Sequence, residues 1–484
     1  MSEARVHRRE VPFPADPGAL LRSLVRARNP FWLDSGIVMS PHGRYGILGC
    51  DPFMVLTSRG KRVTLDLGGR VEESDGDPFA ALRRVMRRFS APHDNDIPFA
   101  GGAVGYLAYD LGQFVERLPC TTLDDIGLPE MYMAFYDAAL ILDMAKRRAW
   151  AVAAEVRGEG AVALAPPEAR IERLLDHMAQ PAGSAPPPAA PPEPVECNFT
   201  REEYLRAVQR AKDYIAAGDI FQVNLSRRFE TRLPLPPHEL YLRLRAINPA
   251  PMAAYLQFDG GAIVSASPER FLEVRGRRVE TRPIKGTRPR GRTPEEDRSL
   301  GEELLASEKD NAELAMIVDL ERNDLGRVCS YGSVKVVEPR ALESHPTVHH
   351  LVATIEGRLQ PDRDIVDLLR ATFPGGSITG APKIRAMEII DELEPTRRSV
   401  YTGAIGYIGF DGSMDLNIVI RTFIERNGTL YFQVGGGVVA DSDLALEYDE
   451  TTHKARALLE ALAVGPADAP MDSRSPKPGT RPGW

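Results

Sequence analysis

A run rich in proline and alanine divides this chain of 484 residues into two halves. Residues 181–195 read PAGSAPPPAAPPEPV. Proline fixes φ and lacks an amide donor, so neither a helix nor a central strand can cross this run. We therefore predict an N-terminal domain (1–179), a linker (180–197), a C-terminal domain (198–464) and a disordered tail rich in proline, aspartate and serine (465–484).

The charge balance argues against a nucleic-acid partner. The net charge is −8, whereas proteins that bind nucleic acids broadly carry a basic excess. Residues 281–292 are strongly basic, but no aromatic residues interleave to stack on bases. Any anion that this chain binds must be held by a local group of residues.

The cysteines indicate a reducing compartment. The N-terminus and the lack of long apolar segments argue against membrane insertion. The four cysteines, Cys50, Cys120, Cys197 and Cys329, lie far apart and include no C-x-x-C pair, which argues against a zinc ribbon or a disulfide scaffold. Residues 1–10 contain no apolar leader, and no segment reaches the ~20 apolar residues of a membrane span. We predict a cytoplasmic protein.

Hydrophobic patterning predicts a mixed α+β fold. In the N-terminal half, residues 37–39 and 131–142 are typical of strands. Thr200 and Glu203 form a capping box, which begins a helical repeat that ends at Gly218. Further helices are predicted at 294–325, 365–372, 382–393 and 443–462, alternating with strands at 262–265, 400–408 and 416–424.

Three acidic residues are candidate metal ligands. Glu313 falls within ~40° of the apolar stripe of its predicted helix, so its carboxylate needs either a salt bridge, to Lys309 or Arg322, or a metal ion. Glu447 and Glu450 share one helix edge with Lys454, which is also typical of a solvated ion pair. If these carboxylates converge, their oxygens suit Mg²⁺.

Two glycine-rich segments, 374–380 and 435–437, have backbone amides that can bind an anion or simply form tight turns. A loop lysine is ordinarily solvated. Lys285 differs because arginines flank it on both sides, and cationic neighbours with burial favour the neutral, nucleophilic amine.

These segments together resemble the chorismate-utilising enzymes, most closely the component I branch of the aminodeoxychorismate synthases. The resemblance rests on eight motifs in order: GDIFQVNLS (218–226), SPERF (267–271), PIKGT (283–287), DLERNDLGR (319–327), VHHL (348–351), PGGSITGAPK (374–383), IRT (420–422) and YDET (448–451). It implies large antiparallel β-sheets packed as a sandwich with helices outside.

The resemblance also implies the reaction. Enzymes of this family that add water carry a lysine where this chain has Gln222, so ammonia is the expected nucleophile. The third position of PIKGT is typically alanine in anthranilate synthases and lysine in aminodeoxychorismate synthases, and here it is Lys285. The implied product is 4-amino-4-deoxychorismate, for 4-aminobenzoate and folate biosynthesis, formed through a covalent Lys285 intermediate.

Site residues follow by position in the family's motifs. Glu269 matches the general acid, and Glu313 and Glu450 match the Mg²⁺ ligands with Glu447 as a neighbour. An active-site histidine is matched by His350, whose role is left open. Contacts to the substrate carboxylates are implied for Thr287, Tyr407, Arg421, Gly436, Gly437 and Lys454.

Partners are implied as well. The sequence contains no G-x-C-x-G glutaminase segment, so ammonia is expected from a separate glutaminase subunit. Motifs at 32–36 and 101–106 resemble a region that lines a tryptophan pocket, with Ser35 as the candidate contact or as a residue that merely closes a turn. The competing interpretations are anthranilate synthase component I and a non-catalytic subunit that binds chorismate or tryptophan.

Overall fold

The computed structural model describes residues 5–36, 43–158, 164–180 and 193–463. The predicted strand at 37–39, most of the predicted linker and the predicted tail lie outside these residues. No helix in the described ranges is long and apolar enough to cross a membrane.

Twenty-six strands are assigned in the described residues. In chain order they are β1 (Val6–Val11), β2 (Phe31–Asp34), β3 (Tyr45–Gly49), β4 (Met54–Arg59), β5 (Arg62–Asp66), β6 (Val71–Asp75), β7 (Phe89–Ser90), β8 (Gly102–Leu107), β9 (Met131–Tyr136), β10 (Ala139–Asp143), β11 (Arg148–Ala154), β12 (Arg157–Gly158), β13 (Glu196–Cys197), β14 (Gln222–Arg232), β15 (Met252–Phe258), β16 (Gly261–Ser267), β17 (Arg270–Arg275), β18 (Arg278–Arg282), β19 (Ile284–Pro289), β20 (Lys335–Ser344), β21 (Val348–Arg358), β22 (Gly380–Ala381), β23 (Ala404–Gly409), β24 (Met414–Ile418), β25 (Thr422–Arg426) and β26 (Thr429–Val438).

Ten α-helices and two short 3-10 helices, Tyr109–Phe114 and Gly376–Ile378, complete the described part of the chain. The α-helices are α1 (Pro17–Leu24), α2 (Pro78–Met86), α3 (Pro167–Ala179), α4 (Arg201–Ala216), α5 (Pro237–Ile247), α6 (Pro294–Ala306), α7 (Glu308–Gly326), α8 (Ile365–Thr372), α9 (Lys383–Leu393) and α10 (Leu444–Ala461).

The strands form two large antiparallel sheets of twelve strands each, which confirms the predicted α+β sandwich. The first sheet has the order β1-β11-β10-β3-β2-β15-β16-β25-β26-β14-β13, with β22 on β14. The second has the order β19-β21-β18-β17-β24-β23-β8-β9-β4-β5-β6, with β20 on β21.

Alternation along the strands explains how the sheets pack. On β9, Tyr132, Ala134 and Tyr136 belong to an apolar cluster made only of strand and loop residues from both sheets. The intervening residues, such as Met133 and Phe135, join a separate cluster that includes helix residues. Successive side chains of a strand point to opposite faces, so one face fills the space between the sheets and the other carries the helices.

Both sheets draw strands from both halves of the chain, which corrects the prediction of two separate domains. Strand β2 pairs with β15, placing Trp32 opposite Tyr255. Strand β8 pairs with β23, placing Val104 opposite Tyr407. Each pairing supplies backbone partners that either half alone would leave exposed at a sheet edge. The linker prediction also extends too far, because Cys197 in β13 pairs with Phe229.

Most of the predicted elements after the linker are present. Helix α4 begins at the predicted capping box, where the Thr200 side chain accepts from the Glu203 amide and Glu203 accepts from the Thr200 amide. The segment predicted as one helix at 294–325 forms two, because Ser307 is extended and caps α7. The strand predicted at 416–424 is interrupted by Arg421, whose φ is +51°.

Candidate active site

Lys285 and Glu269 both lie beside Ser377. Nζ of Lys285, on β19, donates to the carbonyl oxygen of Ser377 at 3.2 Å. Glu269 lies between β16 and β17, is only 4% exposed, and its Oε1 has no hydrogen-bond partner among the described residues. The structure therefore brings together the predicted nucleophile and the predicted general acid.

Burial shifts both groups toward their neutral forms. It lowers the pKa of Lys285, with Lys454 acting in the same direction, while Glu313, Glu269 and Glu450 oppose the shift. Burial likewise raises the pKa of Glu269, against the opposing effects of Ser377 and Lys285. A neutral amine is a nucleophile and a protonated carboxyl is a proton donor, so each group is shifted toward the form that its predicted role requires.

An acidic edge on α10 faces the glycine-rich strand β26. Ser442 donates to Oε1 of Glu447 at 2.6 Å, and Oε2 of Glu447 is buried without a partner in the described chain. A Cβ on Gly436 would lie 3.1 Å from that Oε2 and 3.5 Å from Oε1 of Glu450. Glycine at 436 therefore leaves room beside two carboxylates.

Lys454 is held at the same edge. Its ammonium lies 2.7 Å from Glu450 and donates to the carbonyl of Gly435 at 2.9 Å. Burial raises the pKa of Glu450, but Lys454 and two further lysines outweigh it, so the pKa is lowered overall. Glu450 is consequently the carboxylate of this edge that is most readily ionised.

Glu313, on α7, reaches the same region from another element. It lies 3.9 Å from Lys309, and burial raises its pKa while Lys285 opposes that shift. The oxygens of Glu313, Glu447 and Glu450 do not all come within 4.8 Å of one another in the described structure. Carboxylates with an unpartnered buried oxygen fit a hard cation such as Mg²⁺, and metal binding here stays a prediction.

His350 and Thr287 face each other across β21 and β19. The Thr287 hydroxyl and His350 Nδ1 are 3.0 Å apart, and His350 Nε2 has no partner among the described residues. Burial lowers the pKa of His350 well below its usual value, and Arg421 acts in the same direction, so the imidazole is neutral. Burial also lowers the pKa of the Arg421 guanidinium, while Glu269 opposes that change.

Gln222, the first residue of β14, lies beside the C-terminal end of the glycine-rich strand β26. It is fully buried, and neither amide atom of its side chain has a partner in the described structure. A Cβ on Gly437 would lie 2.1 Å from Gln222 Nε2, so a side chain at 437 would displace the Gln222 amide. The structure therefore places Gln222 against one of the predicted substrate-binding glycines.

Sequence reasoning assigned no role to Ser377. Its carbonyl accepts from Lys285 and from Asn224 Nδ2, the latter at 3.1 Å, and its buried hydroxyl faces Glu269. The signal was present, because Ser377 lies inside the glycine-rich segment predicted to bind an anion.

A buried ion pair between Arg398 and Glu394 supports the glycine-rich segment 374–380. Arg398 donates to the carbonyls of Ile378 at 3.0 Å and Asn224 at 2.6 Å. It pairs with Glu394 at 2.7 Å, and both side chains are 2% exposed. Glu394 also accepts from the amide and the hydroxyl of Ser226.

We predict that Glu394→Ala lowers the free energy of unfolding by about 3–5 kcal/mol, because it leaves the Arg398 charge buried without a counter-ion. Urea unfolding of the purified protein measures this. The control is Asp319→Ala, which removes a partner of Arg322 from an exposed pair and is expected to change stability by less than about 0.5 kcal/mol. Equal effects of the two substitutions would contradict the prediction.

Tyr407 lies elsewhere, which corrects the prediction that it contacts the substrate carboxylates. Together with Ser35 it lines a cavity of about 390 Å³ between the sheets. Its ring packs against Phe99 with centroids 5.2 Å apart, and the charged groups around its hydroxyl are Arg275, Asp415, Glu273 and Asp411. None of these belongs to the Lys285 site. The Ser35 hydroxyl donates to the carbonyl of Tyr45 at 2.5 Å.

Comparison with known proteins identifies the family. A family model described as chorismate binding enzyme matches residues 35–460. The chain therefore belongs to the chorismate binding enzymes, and it is a chorismate-utilising enzyme.

Curated relatives include enzymes with two different names. The chain is 40% identical to aminodeoxychorismate synthase component 1 of Bacillus subtilis, over 87% of this chain and 90% of the relative. It is 43% identical to anthranilate synthase component 1 of Thermus thermophilus, over 93% and 95% of the two chains. Identity alone therefore does not separate the two reactions.

Solved structures agree with the fold. Anthranilate synthase component I of Streptococcus pneumoniae superposes with a TM-score of 0.76 at 34% identity, covering 87% of this chain and 93% of that one. The menaquinone-specific isochorismate synthase of Escherichia coli gives a TM-score of 0.70 at 17% identity, over 95% and 94% of the two chains, which supports the fold alone.

Proposed function

We propose that this chain is an aminodeoxychorismate synthase component I, which converts chorismate and ammonia to 4-amino-4-deoxychorismate and water. The observation that carries the proposal is the position of Lys285, whose amine faces Ser377 beside Glu269 and is shifted toward its neutral form. An amine in that state can serve as a nucleophile toward the chorismate ring.

In the first displacement, Lys285 Nζ forms a bond to C2 of the ring. Both conjugated ring double bonds shift one position toward C4, and the bond from C4 to its hydroxyl breaks. Glu269 donates a proton to the departing hydroxyl, which leaves as water. The secondary ammonium formed at Lys285 Nζ then loses a proton to solvent.

In the second displacement, ammonia forms a bond to C4. Both double bonds shift back and the bond between C2 and Lys285 Nζ breaks. Nζ regains a proton from solvent, and the ammonium formed at C4 returns a proton to Glu269. Lysine is thereby restored, and the net change is replacement of the C4 hydroxyl by an amino group.

The remaining site residues hold the substrate. Arg421, Thr287, Lys454 and the amides near Gly436 and Gly437 are proposed to bind its carboxylates, with His350 as a neutral neighbour. Glu313, Glu450 and Glu447 would hold Mg²⁺. When bound, this ion supplies positive charge that anchors the ring carboxylate.

Two partners belong to the proposal. A separate glutaminase subunit would supply ammonia, since the chain has no glutaminase nucleophile motif. Tryptophan would occupy the cavity lined by Ser35 and Tyr407, by resemblance to relatives. Anthranilate synthase component I is kept as the second candidate because the Thermus thermophilus relative of that name is 43% identical.

We expect the purified chain, incubated with chorismate, Mg²⁺ and an ammonium salt, to form 4-amino-4-deoxychorismate without releasing pyruvate. Mass spectrometry of the products and a pyruvate assay measure the two outcomes, and a chelator-treated sample tests the metal requirement. Anthranilate formed with stoichiometric pyruvate would establish the second candidate instead. Absence of turnover at every ammonium concentration would contradict both.

A further inference from the structure

Three side chains of different chemistry meet outside the set of residues that surround Lys285 and Glu269. A sulfur of Cys50, a carboxylate oxygen of Asp51 and a ring nitrogen of His177 all lie within 4.8 Å of one another. His177 Nε2 is 2.6 Å from Asp51 Oδ2. Within the described residues, these three form the group of cysteine, histidine and acidic side chains that is close enough to share a metal ion.

The backbone holds Asp51 in an unusual conformation that aims its carboxylate at the histidine. Its φ is +54°, a region that residues other than glycine rarely adopt. The Asp51 amide donates to the Arg28 carbonyl, and Asp51 Oδ1 accepts from the Arg28 amide, both at 2.8 Å. Oδ2 is thus left for His177.

Helix α3 presents His177 from the other side. Arg170 of this helix is buried and donates to the carbonyls of Asp137 and Ala154, each at 2.7 Å. Arg173 pairs with the Asp137 carboxylate at 2.8 Å. These bonds fix the helix against β10 and β11, so the position of His177 is set by the fold.

Thiolate, imidazole and carboxylate are all ligands of zinc. Tetrahedral zinc with bonds of about 2.0–2.3 Å places its ligand atoms about 3.3–3.8 Å apart. The contact between His177 and Asp51 must therefore open by about 1 Å, within reach of side-chain rotation, and the partial exposure of both residues leaves room for a water molecule.

We propose that Cys50, Asp51 and His177 bind one zinc ion, with water as the fourth ligand. The ion fastens the last turn of α3 to the corner between β3 and β4, linking positions more than a hundred residues apart. Binding replaces the thiol proton of Cys50, which is released to solvent.

A thiol-based activity at this corner is disfavoured. Cys50 is only 9% exposed, so its sulfur is poorly accessible to a reactant from solvent. A divalent ion held by the three side chains would compensate the charge of a buried thiolate.

The test uses the full chain, freed of metal with a chelator and titrated with Co²⁺, which reports thiolate ligation by a charge-transfer band in the near ultraviolet. We expect a band that saturates at one equivalent and disappears on addition of zinc. Cys50→Ser abolishes the band, and His177→Gln weakens cobalt binding by at least about tenfold. Cys120→Ser, at an exposed free cysteine, leaves the band unchanged.

Zinc should also raise the thermal midpoint of the wild-type chain and not that of Cys50→Ser. Absence of the band in the wild type, or its persistence in Cys50→Ser, would overturn the proposal. If Cys50→Ser does not fold, His177→Gln provides the test, because His177 is partly exposed. Unchanged cobalt affinity in that variant would also contradict the proposal.

Discussion

Replacement of Lys285 by alanine is expected to lower the rate of chorismate amination by about 10³-fold or more, because the first displacement loses its nucleophile. Initial rates with saturating ammonium measure the effect. Lys285→Arg retains a positive charge but not a nucleophilic amine, and it should be equally impaired. A role limited to electrostatic binding of the substrate would instead leave the arginine variant active.

The matched control for Lys285 is Lys335→Ala, which removes an exposed lysine from β20 and should leave the rate unchanged. Circular dichroism of each variant verifies that the fold persists. If Lys285→Ala kept its rate within tenfold of wild type, covalent catalysis would have to be abandoned.

Glu269→Gln is expected to lower kcat by about 10²–10⁴-fold, the range that a positioned general acid contributes. Glutamine preserves the shape of the side chain but cannot give a proton to the departing hydroxyl. Glu302→Gln, on the exposed side of α6, serves as the control and should behave as wild type.

The pH profile gives the same prediction a second readout. Glu269 acts in its protonated form, and burial raises its pKa, so activity falls as the pH rises through that raised value. Lys285 acts as the free amine, so activity increases as the pH rises through its lowered pKa. The wild-type profile is therefore bell-shaped, and Glu269→Gln should lose the falling limb. A falling limb retained in that variant would assign the acid role to another group.

Local signals in the sequence predicted much of the C-terminal half. The capping box at Thr200 fixes the start of α4, because both of its hydrogen bonds are local. Lys285 and Glu269 were predicted by position in short motifs, and the structure places both beside Ser377. Signals of this kind depend on residues that are adjacent in the sequence, so they can be recognised without knowledge of the tertiary structure.

Non-local pairing could not be predicted in the same way. The linker predicted two domains, yet β2 and β8 pair with strands from the other half, and such partners leave no trace in local periodicity. Tyr407 shows a related limit. Alternation along a strand indicates that a residue is buried but not which part of the interior its side chain faces.

Intact-protein mass spectrometry of the enzyme mixed with chorismate and Mg²⁺ in the absence of ammonia tests the central claim most directly. We predict an added mass equal to chorismate less one water, located by peptide mapping to Lys285 and absent from Lys285→Ala. Amination by a chain that never carries this adduct, or an adduct mapped to a different residue, would contradict the account.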